Sequence, residues 1–148
     1  MRVLACVAVV GLAVAVIPAA AAENGGPNGE PKNGGPKHGG LSADYERCMG
    51  KAVSTADMLN CAALESRVQD TALNSAYQSL LRRLEAPRTG QLRVAQRVWL
   101  EYRQANCAYV ANPAGGSAAR VAGAACVLEM TAARVRELRA FATEAAGR

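Results

Sequence analysis

Aromatic side chains are scarce in this sequence, with one Phe, one Trp and four Tyr among 148 residues. Runs of Val, Ile, Thr and Tyr that would make strands are missing as well, which argues against a sheet-based fold. Histidine occurs once, at His38, and there is no Cys-x-x-Cys or clustered His, so no metal site is expected. A nucleophile has no neighbouring base to activate it, and no enzyme and no cofactor are expected. Cations are not gathered into a block. Spread along the chain they read as a solvated surface, and no nucleic acid is expected as partner. The length allows one domain and not two.

What is present is alanine, within a composition that is 51% apolar. The first residues form a leader: Arg2, then an uncharged apolar run over 3–17, then Pro18 and the small residues Ala20, Ala21 and Ala22. This pattern predicts a signal peptide over 1–22 and an exported product in the periplasm, cell envelope or medium of a bacterium. The run is also about long enough to stay as an uncleaved anchor. The Ala-x-Ala end favours cleavage, after which no membrane contact is expected. Cys6 sits at the start of the run, where a lipidated cysteine would not, and belongs to the leader.

Loss of the leader leaves four of the five cysteines, Cys48, Cys61, Cys107 and Cys126, and an even count in a small exported protein implies two disulfides. Without Arg2, sixteen Lys and Arg face twelve Asp and Glu, a net charge of +4. Residues 23–40 contain Asn-Gly-Gly-Pro twice and nothing able to bury an apolar face. They predict a disordered Gly/Pro/Asn-rich tether, which holds His38.

The ordered domain is expected over 41–148. Ser54 can cap a first helix, with Asp57 answering three residues on. Its apolar stripe runs through Met58, Cys61, Leu64, Val68, Leu73, Ala76, Tyr77, Leu80, Leu81 and Leu84, and Pro87 with Gly90 is expected to end it. A second helix spans about 91–111, with Leu92, Ala95, Gln96, Trp99, Arg103 and Cys107 on one face. Residues 112–116 break it. Ser117 is expected to cap a third helix that reaches about Ala146 and buries Cys126, Met130, Val135, Leu138 and Phe141, with Gly123 weakening its first turns. The fold class is therefore all-α, a small antiparallel three-helix bundle stapled by two disulfides. Up-down-up packing gathers the cysteines at one pole. Pairing Cys48 with Cys61 and Cys107 with Cys126 is then feasible, and other connectivities stay open.

Polar residues recur on or beside these stripes. In chain order they are Cys61 and Glu65; Asp70, Leu73, Asn74 and Tyr77; Ala95, Gln96, Trp99, Tyr102, Arg103 and Cys107; Gly115, Gly116, Ser117 and Cys126; and Thr131, Arg134 and Leu138. The ordered set resembles the LprI-type lysozyme inhibitor family of bacterial envelope proteins, with matches from Cys48 to Leu138. The resemblance implies an all-helical domain and lysozyme as partner, since some members bind and inhibit it. Read from the residues alone, Asp70, Asn74, Gln96, Arg103 and Arg134 form a structural polar network. In it Asp70 or Glu65 pairs with Arg103 or Arg134, because a buried arginine needs a partner. The alternative reading turns these groups toward a ligand cleft. A glycosidase pair built on Glu65 and Asp70 would need one carboxyl raised in a cleft, which a thin bundle rarely offers.

For an inhibitor, the expected working part is the segment 112–117, flanked by Cys107 and Cys126. A staple there would order it before docking. Tyr109, Asn112, Gly115, Gly116, Ser117 and Arg120 are the candidate contacts; the plainer reading is a helix–helix turn. Charge stands against lysozyme, because animal-type lysozymes are basic and so is this domain. Glu23, Glu30, Asp44, Glu46 and Asp57 give the N-terminal side some negative character, though Lys32, Lys37, Arg47 and Lys51 sit among them. Another envelope protein or an anionic wall polymer is the alternative partner.

Overall fold

A computed structural model describes residues 39–147, and the expected leader and most of the expected tether lie outside them. In chain order the described elements are helix α1 (Ala43–Met49), α2 (Thr55–Leu81), α3 (Arg88–Ala111), a 3-10 turn (Pro113–Gly115) and α4 (Gly116–Ala146). The fold is all-α, and α2, α3 and α4 run up, down and up. Cys48 is joined to Cys61 and Cys107 to Cys126, with Cα–Cα separations of 5.7 and 5.5 Å.

The start of α2 is built by a reciprocal cap. Asp57 donates its backbone N–H to Ser54 Oγ at 3.1 Å, and Asp57 Oδ2 accepts from the Ser54 N–H at 3.0 Å and the Ser54 hydroxyl at 2.8 Å. These bonds, the Ser54 hydroxyl first and the Val53 and Ser54 amides after it, hold the Asp57 carboxyl below its ordinary value of 3.8. The other end differs from expectation. Helix α2 stops at Leu81, well before Pro87, and Pro87 instead serves as N-cap of α3. Gly90, expected to help break the chain, lies inside the first turn of α3. A proline costs nothing at a helix start, where its missing N–H would have had no partner.

Helix α4 is the middle element. It packs along both α2 and α3, which approach one another only weakly. One apolar cluster joins Leu73, Ala76 and Leu80 of α2 to Val135, Leu138 and Ala142 of α4, with Leu92 and Trp99 of α3 against it. A second, nearer the disulfides, holds Leu41, Ala62, Leu128 and Ala132.

Expected core assignments are corrected at Leu64, Val68 and Phe141. Leu64 and Val68 are 60% and 52% exposed, and Glu65 and Gln69 are buried in their stead, at 2% and 5%. The buried face of α2 steps by four through Cys61, Glu65, Gln69 and Leu73. Its polar members are satisfied by the incoming chain. The Ser42 N–H and hydroxyl donate to the Glu65 carboxylate at 2.9 and 2.5 Å, and Gln69 Nε2 donates to the Gly40 carbonyl at 3.2 Å and to Glu65 at 2.7 Å. This latch orders Gly40, the last residue of the expected tether. It also seats Ser42 as N-cap of α1, a helix that apolar periodicity did not reveal. Phe141 is likewise 41% exposed. The small Ala142 takes the core slot and lets α2 come close, which leaves Phe141 at the edge.

Gly123 has a packing role. A Cβ there would lie 2.6 Å from Ala111 Cβ and 3.1 Å from Ala111 Cα, so only glycine lets the end of α3 cross α4 this closely. Gly90, by contrast, has nothing within 4 Å of its would-be Cβ. Thermal denaturation should therefore separate two identical changes. Gly90→Ala should stabilise by up to about 1 kcal/mol through helix propensity. Gly123→Ala should destabilise, because an overpacking cost of roughly 1–3 kcal/mol outweighs the same gain. A second check follows from Asp57, whose depressed pKa contributes stability above the unfolded value and loses it as pH falls through the lower folded one. Asp57→Ala should lower the melting temperature at neutral pH, and the gap from the native chain should close as pH falls well below 3.8.

Candidate functional site

Helix α3 has only two buried residues, Gln96 and Cys107. Steps of three and four place Gln96, Trp99 and Arg103 on the face toward α4, opposite Thr131 and Arg134. Arg134 Nε donates to Gln96 Oε1 at 3.0 Å, and its Nη1 donates to Glu137 Oε2 at 2.6 Å. Arg103 Nη1 donates to Thr131 Oγ1 at 2.7 Å and lies 3.8 Å from Asp70 Oδ1. Both guanidinium groups sit over the Trp99 indole, at 5.2 Å for Arg103 and 5.6 Å for Arg134. The only Trp of the chain is thus in contact with two cations, each with its own hydrogen-bond partner.

The ion pairing differs from the sequence expectation in detail. Asp70 meets Arg103, but Glu65 pairs with no arginine among the described residues and is tied to Ser42 and Gln69. Arg134 takes Glu137, one turn along its own helix, which sequence reasoning missed although the i, i+3 spacing signals it. Asn74 is exposed on α2. Glu65 is buried against Ser42 and Gln69 while Asp70 is exposed beside Arg103, so the two carboxylates are not set out as a glycosidase pair.

Beside the network, α2 and α3 leave a groove of about 450 Å³. Asp70, Asn74 and Tyr77 line it from α2, and Arg93, Gln96 and Arg97 from α3. Asp70 is the one carboxylate on this wall, against two arginines that have no ion-pair partner among the described residues. A second groove, of about 600 Å³, shares Arg97 and Leu100 with the first, runs between α3 and α4 and includes Arg103, Gln104 and Arg120.

The segment 112–117 forms the tip of the disulfide pole. Asn112 accepts from the Ala114 N–H at 3.2 Å and so caps the 3-10 turn, while Gly116 has φ +68°, a backbone state that favours glycine. Ser117 lies within the first turn of α4 and does not cap it; the N-cap is Gly115, which offers no side chain. Tyr109 is 85% exposed on the last turn of α3, and Arg120 is exposed on the first turns of α4. The Cys107–Cys126 bridge spans the two helices just behind this tip. Tyr109, Asn112, Gly115, Gly116, Ser117 and Arg120 are thus near in the fold; the Asn112 N–H donates to the Tyr109 carbonyl at 3.2 Å and the Gly115 N–H to the Asn112 carbonyl at 2.7 Å, while no side-chain hydrogen bond joins any two of the six. Among the described residues, no group of three or more His, Cys, Asp or Glu is placed to hold a metal ion.

Removing Arg134 tests what the network does. Arg134→Ala should destabilise by about 2 kcal/mol, because it leaves the buried Gln96 amide without its donor and strips one face of Trp99. Arg134→Lys should rescue little, since an ammonium cannot reproduce the planar contacts. Urea denaturation reads both; a native midpoint for Arg134→Ala would count against a structural role.

No curated protein and no solved structure matches the chain at a significant level. A family model described as "Lysozyme inhibitor LprI" matches residues 48–138, more than half of the chain. The match starts at the first cysteine of the Cys48–Cys61 bridge and ends at Leu138, the most deeply buried side chain of the α2–α4 cluster. Both bridges, the Trp99 stack and the loop tip fall within it, and the chain belongs to the LprI family of lysozyme inhibitors.

Proposed function

We propose that this chain is an exported, non-catalytic protein that binds lysozyme and inhibits it, protecting a bacterial wall from the periplasm or cell envelope. The observation that carries the reading is the family match over residues 48–138. Export rests on the sequence pattern over 1–22, and no described helix is long and apolar enough to cross a membrane. The working part we assign is the loop tip: Asn112, Gly115, Gly116 and Ser117, with Tyr109 and Arg120 beside it. Its backbone connects two helices joined by the Cys107–Cys126 bridge, so less freedom is lost on docking. The glycines let main chain approach a narrow cleft, and Tyr109 offers a large amphipathic contact surface.

A second reading has its own support. Arg93 and Arg97 stand on the groove between α2 and α3 without ion-pair partners among the described residues, as a site for an anionic wall polymer would require. In that reading the chain is a helical binding module for an envelope ligand.

Wall-lysis assays with c-type lysozyme and the chain from residue 23 onward separate the two. Dose-dependent loss of lysis is expected, with Tyr109→Ala and Arg120→Ala each weakening inhibition on the order of tenfold. Unchanged lysis at large molar excess removes the inhibitor reading. Full inhibition by both variants moves the contact surface away from the loop tip.

A further inference from the structure

The domain carries a net positive charge, and lysozymes of the animal type are basic as well, so a stable complex needs somewhere for cations to go. A cavity of about 350 Å³ lies between α1 and α4, on the disulfide side of the molecule. Its walls are largely apolar, from Leu41, Met49 and Ala125, with Tyr45 beside them. Two carboxylates complete it, Glu46 from α1 and Glu129 from α4. Neither has an ion-pair partner among the described residues, and Arg47, next to Glu46 in sequence, is paired with Asp44. Glu46 Oε1 is moreover the one buried side-chain oxygen or nitrogen among the described residues with no hydrogen-bond partner. A buried carboxylate oxygen without a donor is costly, and a cationic group brought beside the same carboxylate would offset part of that cost.

The negative field of this pocket registers on Tyr45. Burial raises its phenol above the ordinary value of 10.0, and the Glu129 and then the Glu65 charges raise it further. An aliphatic slot ending in acid suits one kind of side chain, a long hydrocarbon stem with a cationic head. We propose that the pocket between α1 and α4 seats an arginine or lysine side chain of the bound protein, with Glu46 and Glu129 taking its charged head. The inference rests on the lysozyme reading and deepens it by naming the chemistry of the contact. Ala125 lies nine residues beyond Gly116 along α4, roughly 14 Å at helical rise, so a single partner can reach both the loop tip and the pocket. The like-charge objection then applies to the net charge and not to the contact surface.

Two probes test this. In the first, N-acetylarginine amide is titrated into the isotopically labelled chain from residue 23 onward. Saturable shifts are expected at the Tyr45, Gly50 and Ala125 amides, lost in the Glu46→Gln, Glu129→Gln double variant. No shift there, or an equal shift with the neutral N-acetylnorleucine amide, overturns the proposal. In the second, Glu46→Gln and Glu129→Gln should each weaken lysozyme inhibition on the order of tenfold and flatten its salt dependence. Undiminished inhibition by both variants overturns the pocket while leaving the inhibitor reading intact. Arginine-amide binding without any effect on lysozyme removes that reading and supports the pocket as a seat for another basic protein. Glu129 is exposed on α4, so its variant should melt as the native chain does and stand as the control if Glu46→Gln loses stability.

Discussion

Helix α3 is held to the rest of the domain by little apolar burial for its length, and its attachment depends on one polar stack and one disulfide. Of its 24 residues only Gln96 and Cys107 are buried. Between them Trp99 lies under two guanidinium groups, and each of those is anchored to another helix element: Arg134 belongs to α4, and Arg103 reaches Thr131 of α4 and Asp70 of α2. An alanine-rich core gives each helix pair little transfer free energy, since alanine buries little surface. Directional contacts therefore fix what area alone leaves loose. The Cys107–Cys126 bridge does the same covalently at the other end of the contact, and the absent Cβ of Gly123 lets the two helices meet there.

This arrangement gives the two poles different characters. At the disulfide pole the chain is tied by two bridges, by the Glu65 latch on Ser42 and by the close crossing at Gly123. The loop tip and the α1–α4 pocket both sit on this tied end. A surface whose backbone is already ordered loses less freedom when it docks, which suits a protein that acts by occupying another protein's cleft. The groove between α2 and α3 is a consequence of the opposite condition. There Arg93, Arg97 and Asn74 put long or polar side chains where the helices would otherwise meet, and the space stays open.

Much of the fold is legible in the sequence. Ser54 with Asp57 marks the start of α2, and the family pattern from Cys48 to Leu138 is readable residue by residue. The misplaced positions each have a tertiary cause. Apolar periodicity ranks Leu64 and Val68 above Glu65 and Gln69, and it cannot see a hydrogen-bond partner supplied from position 42. Size points Phe141 inward, whereas the close approach of α2 gives the slot to Ala142. Residue type makes Ser117 a cap, yet the 3-10 turn brings Gly115 to that position and leaves the serine within the helix.

Taken alone, the amino-acid sequence determined the class of the protein: helices from their period, four cysteines spaced over 48–126, and a family from an ordered set of polar and sulfur residues. Those properties are local or additive along the chain. Only the tertiary structure decided which polar groups are buried together, that Trp99 meets two arginines, and that Glu46 and Glu129 line one cavity from separate helices. Such pairings depend on distances between residues far apart in sequence, and those distances exist only once the helices have packed.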